Sequence, residues 1–198
     1  MSGVHALVLA AGSGSRFGGG KLLAPWRGGV LLDGALAAAF AAPTPTVTVV
    51  TGADAEAVAR AATTFAAACG QAGRTRIVHA ADHAEGMAAS LRAGLAALPA
   101  DAAGALVLLG DMPLIPHAVL APLVAAVEGG APAAAPVFDG RRGNPAALSR
   151  SLFAVLLGLA GDKGARGVLD RLGDRLVQVA SPDAGVLLDV DTRADVPQ

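Results

Sequence analysis

The chain has 198 residues and a formal net charge of -1; 54% of it is hydrophobic, yet only 3% is aromatic. That length suits one domain, residues 1–198, with a core built from Ala, Val and Leu rather than rings. The charge balance excludes a strongly basic nucleic-acid or anionic-membrane surface, and apolar runs broken by Gly, Pro and Asp exclude a membrane span.

The elements follow in chain order. Ala6–Leu9, inside the apolar run Val4 to Ala10, reads as the first strand, and a glycine-rich loop follows it. A helix is expected over Asp33–Ala42, with Asp33 as its N-cap. Val47–Thr51 is a β-branched strand, and Asp54–Cys69 is a helix with an acidic first turn that suits the helix dipole. Arg76–His79 is a weaker strand. Gly86–Leu98 is an amphipathic helix with Leu91, Leu95 and Leu98 on one face. Ala105–Leu109 is the strongest strand, and Pro116–Val127 is a helix opened by proline. Ala133–Val137 is a further strand, two short helices are expected over Arg150–Leu157 and Lys163–Leu172, and Val186–Leu188 closes the set as a strand. Continuous apolar strands alternating with helices predict an α/β, Rossmann-like, doubly wound and mostly parallel sheet. Cys69, the single cysteine, is expected to be a core residue; it excludes an intrachain disulfide and fits a reducing, cytoplasmic setting. No basic segment followed by an apolar one opens the chain, so no signal peptide is expected. Histidines 5, 79 and 117 lack metal-ligand spacing, so zinc is not expected.

The loop after the first strand, LAAGSGSRFGGGK from Leu9 to Lys21, carries the functional signal. Active sites of open α/β sheets lie beyond the carboxyl ends of the strands, so this is a prime position. The phosphate-binding pattern G-x-x-x-x-G-K-[ST] fails twice, at Ser15 and at Leu22. The dinucleotide fingerprint is a near miss: Gly12 and Gly14 fit, Phe17 stands where the third glycine belongs, and acidic Asp33 follows about 20 residues on. Arg16 and Lys21 add two cations to a loop rich in backbone N–H groups, which suits a triphosphate whose charge grows on leaving pyrophosphate. Trp26 is expected to pack under this loop. Asp111, in LLGDMP at the end of the strongest strand, is placed to reach a magnesium ion bridging phosphates. In LLDVDT, Asp189 and Asp191 are two residues apart in a stretch expected to be extended, so they share a face; Asp189 is preferred as second metal ligand, with Asp191 the alternative.

The loop resembles the nucleotidyltransferase signature L-A-[AG]-G-x-x-x-R-[MF]-G-x-x-K, with every fixed position filled. It is most similar to the branch of molybdenum cofactor cytidylyltransferase and the molybdopterin-guanine dinucleotide enzyme. Further segments follow in order. Gly86, Ser90, Leu91, Gly94 and Leu95 match G-x-x-x-S-[LIV]-x-x-G-[LI]. Arg142 to Pro145 match R-G-[HN]-P, Gly161 to Val168 match G-D-x-G-[AV]-R-x-[LV], and Asp189 to Asp195 match D-x-[DGN]-T-x-x-D. Arg193 stands where that last pattern usually has proline.

The resemblance implies a nucleotide-diphospho-sugar transferase type of fold and transfer of a nucleoside monophosphate from a nucleoside triphosphate to a phosphate-bearing acceptor, molybdopterin being the inferred one. It implies Mg2+ held by Asp111 with Asp189 or Asp191, and catalysis by Arg16, Lys21 and Asp111. Nucleotide contacts fall to Ala10, Ala11, Gly12, Ser13, Gly14, Arg16, Lys21, Gly86 and Ser90. Acceptor contacts fall to Asn144, Lys163 and Arg166. Alanine rather than glycine at position 11 resembles the cytidylyl-transferring branch, so CTP over GTP is expected; the methyl is taken to project toward the base, where glycine would admit a purine's second ring. A nicotinamide- or flavin-dependent oxidoreductase and a non-catalytic cofactor-binding accessory protein remain the alternatives at this level.

Overall fold

The computed structural model describes residues 3–162 and 164–195, with Arg16 described by its backbone alone. The chain runs β1 (Val4–Ala10), β2 (Pro25–Trp26), β3 (Gly29–Val30), α1 (Leu31–Ala41), β4 (Val47–Thr51), α2 (Ala55–Ala68), β5 (Thr75–His79) and α3 (Met87–Ala96). It continues through β6 (Gly104–Leu109), α4 (Leu120–Glu128), β7 (Ala133–Phe138), β8 (Arg141–Arg142), β9 (Ala146–Ser149), α5 (Phe153–Leu157), α6 (Arg166–Asp170) and β10 (Leu176–Ala180).

The main sheet has the order β10-β7-β9-β6-β1-β4-β5, with β8 pairing β7 at the side. β1 pairs in parallel with β4 and β6, and β5 with β4. β10 pairs in parallel with β7, while β9 is antiparallel to both β6 and β7 and the short β8 is antiparallel to β7. After β1 the chain moves outward to β4 and β5, then returns through α3 to β6 on the other side of β1. The strand order therefore reverses between β1 and β6, which opens a crevice at their carboxyl ends.

Two cores flank the sheet. On one face Ala6, Val8 and Ala10 of β1 pack with α1, α2 and α4. On the other, Leu7, Leu9 and Ala11 pack with α3, α5 and α6. All seven residues of β1 are buried, which explains why its run is continuously apolar.

Several expectations are corrected. α1 begins at Leu31, so Asp33 is not its N-cap; its carboxylate accepts a bond from the Val30 N–H at 2.9 Å, closing back from the third helical position. At the other end of α1, Arg74 donates at 2.6 Å to the carbonyl of Phe40, which the last turn leaves open, and at 2.6 Å to that of Thr44 in the segment that follows. Val186–Leu188 is not a strand. The Asp183 carboxylate takes the Gly185 N–H at 2.7 Å and starts a 3-10 turn over Ala184–Leu187. Cys69 is exposed at the end of α2 rather than in the core. β9 and β10 had no predicted counterpart. Among the described residues no helix is long and apolar enough to cross a membrane.

Candidate active site at the sheet's switch point

The loop after β1 is shaped by its backbone. Gly14 has φ 58°, and Gly18, Gly19 and Gly20 have φ 89°, 91° and 62°. A side chain at Gly14 would also meet the Lys21 Cβ at 2.8 Å, so glycine there serves both the turn and the approach of Lys21. The Gly14 carbonyl accepts bonds from the N–H groups of Phe17 (2.9 Å) and Gly19 (3.1 Å). Gly12 and Ser13 are exposed, while Phe17 turns inward onto Leu31 and Val190, with Trp26 packed beside them as expected.

This fold of the loop delivers Lys21 to the end of β6. Its Nζ lies 2.7 Å from Asp111 Oδ2 and 3.6 Å from Asp191 Oδ1. Asp111 follows Gly110, whose N–H donates to the Leu9 carbonyl at 2.9 Å, so the ends of β1 and β6 are tied together. The Val190 N–H donates to the Asp111 carbonyl at 3.0 Å, which draws the C-terminal segment onto the same spot. Beyond it the Asp195 carboxylate accepts from the Thr192 N–H (2.7 Å), the Thr192 hydroxyl (2.9 Å) and the Asp191 N–H (3.1 Å). These bonds, led by the Thr192 amide, hold the Asp195 pKa below the ordinary carboxylate value. The closure is therefore complete above the ordinary carboxylate range and opens only as pH falls below it.

Asp191 thus meets the Lys21–Asp111 pair, while Asp189, the preferred ligand by sequence, lines the neighbouring cleft. That cleft has a volume of about 1080 Å³ and lies over β6 and β9. Its floor is aliphatic, with Leu9, Val107 and Leu148 among its residues, and Arg141, Arg142 and Arg166 stand around it. Asn144 also lines it; the peptide bond from Asn144 to Pro145 is cis, and the Asn144 N–H donates to the Val186 carbonyl at 2.8 Å. Arg142 is paired with Asp170 across the cleft at 2.6 Å. Lys163 lies outside the described residues.

Other expected residues stand apart from the Lys21 cluster. Gly86 is packed against Gly161 and Asp162, and the Ala88 N–H donates to the Gly161 carbonyl at 3.0 Å, so the start of α3 is occupied by the chain itself. Ser90 is buried within α3, and it is Met87 and Leu91 that reach the cleft. Ala10 and Ala11 are buried, with only 3% of each exposed. The methyl of Ala11 does not project toward open space: a side chain added to Gly52, at the end of β4, would lie 2.7 Å from it. Sequence reasoning missed Arg141 and Asp170, and took Arg142 only as part of the matching R-G-[HN]-P segment. The paired arginines of GRRGN were the available signal, but nothing local announces that α6 brings Asp170 to them.

Asp33 closes back on the Val30 N–H through Oδ2 at the start of α1. No curated protein matches the chain. Among solved structures, Rv0371c from Mycobacterium tuberculosis is 29% identical over 98% of this chain and 95% of its own, with a TM-score of 0.83. A second structure of Rv0371c, in complex with manganese, matches with the same identity and coverage and a TM-score of 0.80. A nucleotidyl transferase from Methanothermobacter is 25% identical over 98% and 94% of the two chains, with a TM-score of 0.74. The model of the MobA-like NTP transferase domain matches residues 6–176, and with the glycine loop, Lys21 and Asp111 all inside that span, the chain belongs to this nucleotidyltransferase family.

Proposed function

We propose that this protein transfers CMP, in preference to GMP, from the nucleoside triphosphate to a phosphate-bearing acceptor of the molybdopterin class, releasing pyrophosphate with Mg2+ bound, in the cytoplasm. The observation that carries the reading is the meeting of Lys21 with Asp111 and Asp191 beyond the ends of β1 and β6. Two carboxylates converge there on one positive charge, beside a loop whose Gly12 and Ser13 are exposed. Hard oxygen donors of this kind fit a magnesium ion, which takes one or two carboxylates together with phosphate oxygens and water. The Lys21 ammonium stands where such a charge would be neutralised, so the donor set fits the ion. The manganese complex of Rv0371c supports a divalent metal in this family.

Asp111 and Asp191 would hold the ion, with Asp189 at the cleft margin as the alternative. When bound, it neutralises charge developing on the departing pyrophosphate. The chain's own groups do the rest. Backbone N–H groups from Gly12 onward and the side chains of Arg16 and Lys21 receive the β- and γ-phosphates. Gly86 and Ser90, nucleotide contacts by resemblance, are covered by Gly161 and Asp162 and by burial within α3, so neither is given a role in this reading. Arg166 and Asn144, which line the cleft, would hold the acceptor, with Lys163 a third contact by resemblance. An acceptor oxygen forms the new P–O bond as the bond from the α-phosphorus to the bridging oxygen breaks, and that oxygen leaves with pyrophosphate. No covalent enzyme intermediate is needed, so the rate comes from positioning and charge stabilisation.

The test is pyrophosphate release measured across CTP, GTP, ATP and UTP with molybdopterin and other phosphorylated acceptors, with and without EDTA. Release that requires acceptor and metal, and is fastest with CTP, is the expected result. Nucleotide binding without release for any pair would make the protein an accessory binder and overturn the reading.

A further inference from the structure

Arg193 occupies the position where the resembling pattern carries proline, and its side chain reaches back across the whole chain. Its Nε donates to the Phe17 carbonyl at 3.2 Å, and its guanidinium carbon lies 5.1 Å from the centroid of the Phe17 ring. Phe17 is the pivot of the glycine loop: its ring is buried while Gly18, Gly19 and Gly20 follow at positive φ. Side chains added to these three glycines would meet nothing within 4 Å, so the outer rim of the loop has no packing to hold it. Among the described residues its ties are backbone bonds, from Gly18 N–H to the Ser15 carbonyl (3.2 Å), from Gly19 N–H to the Gly14 carbonyl (3.1 Å) and from Leu23 N–H to the Gly20 carbonyl (3.0 Å). Successive glycines lose much conformational freedom on ordering, so an external tether has a large share in fixing such a rim.

The segment that carries Arg193 is itself anchored. Val190 is buried against Phe17 and Leu31 and bonds to Asp111, and Asp195 closes on Thr192. One short stretch therefore touches the Asp111 backbone, Lys21 through Asp191, and the loop through Arg193. Among the described residues, Arg193 bonds to the protein through Nε only, and the planar guanidinium both donates to a carbonyl and stacks on a ring. A lysine ammonium does not combine the two geometries.

We propose that Arg193 is a positioning residue that clamps the glycine loop at Phe17 in the shape that receives the triphosphate. The loop's use for triphosphate rests on the function proposed above; the clamp itself does not. Three full-length variants, Arg193→Ala, Arg193→Lys and Arg193→Pro, decide it. Without nucleotide, amide exchange over residues 14–20 is expected to quicken in all three, and the emission of Trp26, the only tryptophan, to shift as the cluster beneath Phe17 loosens. In turnover, KM for the triphosphate is expected to rise about fivefold, the effect of losing one ordinary hydrogen bond, with kcat and acceptor KM unchanged. Unaltered exchange in Arg193→Ala, or wild-type behaviour of Arg193→Lys, overturns the clamp. If the wild type neither binds nor turns over any triphosphate, the proposed function fails, while the exchange comparison still decides whether Arg193 holds the loop.

Discussion

On the β1 side of the switch point the site is made chiefly of backbone. Four glycines at positive φ bend the loop after β1, and the side chains brought together there are one lysine and two aspartates. On the β9 side the site is made of side chains, an aliphatic floor with arginines around it and an Arg142–Asp170 pair across it. On the proposed function, the contrast follows from what each side would recognise. A triphosphate presents the same oxygens whatever base it carries, and backbone N–H groups with a fixed cation suffice for it. An acceptor has its own shape, and only side chains can be varied to meet it. Loss of a group on the first side should therefore damage the chemical step or triphosphate handling, and loss on the second should damage acceptor binding.

The largest effect is expected at Asp111. Asp111→Asn keeps the shape and removes the charge that faces Lys21, and turnover should fall by about a hundredfold or more, the scale of losing one strong transition-state stabiliser. The carboxylate is partly exposed at a strand end, so melting temperature should barely move. Normal turnover in this variant would show that the β1 side does not carry the chemistry.

Lys21→Ala comes next. Charge-assisted bonds contribute roughly 1.5–3 kcal/mol, so triphosphate affinity should weaken about ten- to a hundredfold while affinity for the bare nucleoside is kept. Arg16→Ala should act in the same direction. Calorimetry with both ligands separates the cases: equal losses for nucleoside and triphosphate would mean that the loop does not sense phosphate. On the other side, Arg166→Ala removes an exposed cation at the cleft, so a smaller effect, about three- to tenfold on acceptor KM, is expected at unchanged triphosphate KM. A rise in triphosphate KM instead would dissolve the division between the two sides.

The same contrast governs what was legible in the sequence. The β1 side was readable because its constraints are local: glycines, Lys21 and the strand-end Asp111 sit in two short stretches whose residue types follow from turn geometry and charge. Parallel strands buried on both faces announced themselves as unbroken apolar runs, as in β1 and β6. β9 did not, because its AALS stretch has little β propensity and owes its conformation to neighbours on both sides. β10, LVQVA, has two valines that favour a strand but no strict alternation. Val186 misled because a short apolar run can be buried without joining a ladder, and Asp183 had already set a turn. Long-range pairings such as Arg142 with Asp170, or Asp191 rather than Asp189 with Lys21, depend on how loops meet, and no spacing rule encodes that.

The smallest effect, and the sharpest test of the backbone-built side, concerns the base. The preference for CTP was expected from alanine at position 11, yet the methyl is turned onto Gly52 and buried, so it offers no surface to a nucleobase. Any influence must act through the spacing of the ends of β1 and β4, which are tied by the Ala53 N–H donating to the Ala11 carbonyl at 3.3 Å. Ala11→Gly removes the methyl from this contact and lets the two strand ends shift. A pocket discriminates a single methylene by about 1–3 kcal/mol when it touches the ligand, and an indirect effect should be weaker, on the order of two- to threefold in the CTP-to-GTP ratio. Competition at equal concentrations of the two nucleotides, with wild type and Ala11→Gly side by side, measures that ratio directly. A wild-type preference for GTP would remove CTP as the donor. An unchanged ratio in the variant would move discrimination away from the strand ends, to the side chains around the base.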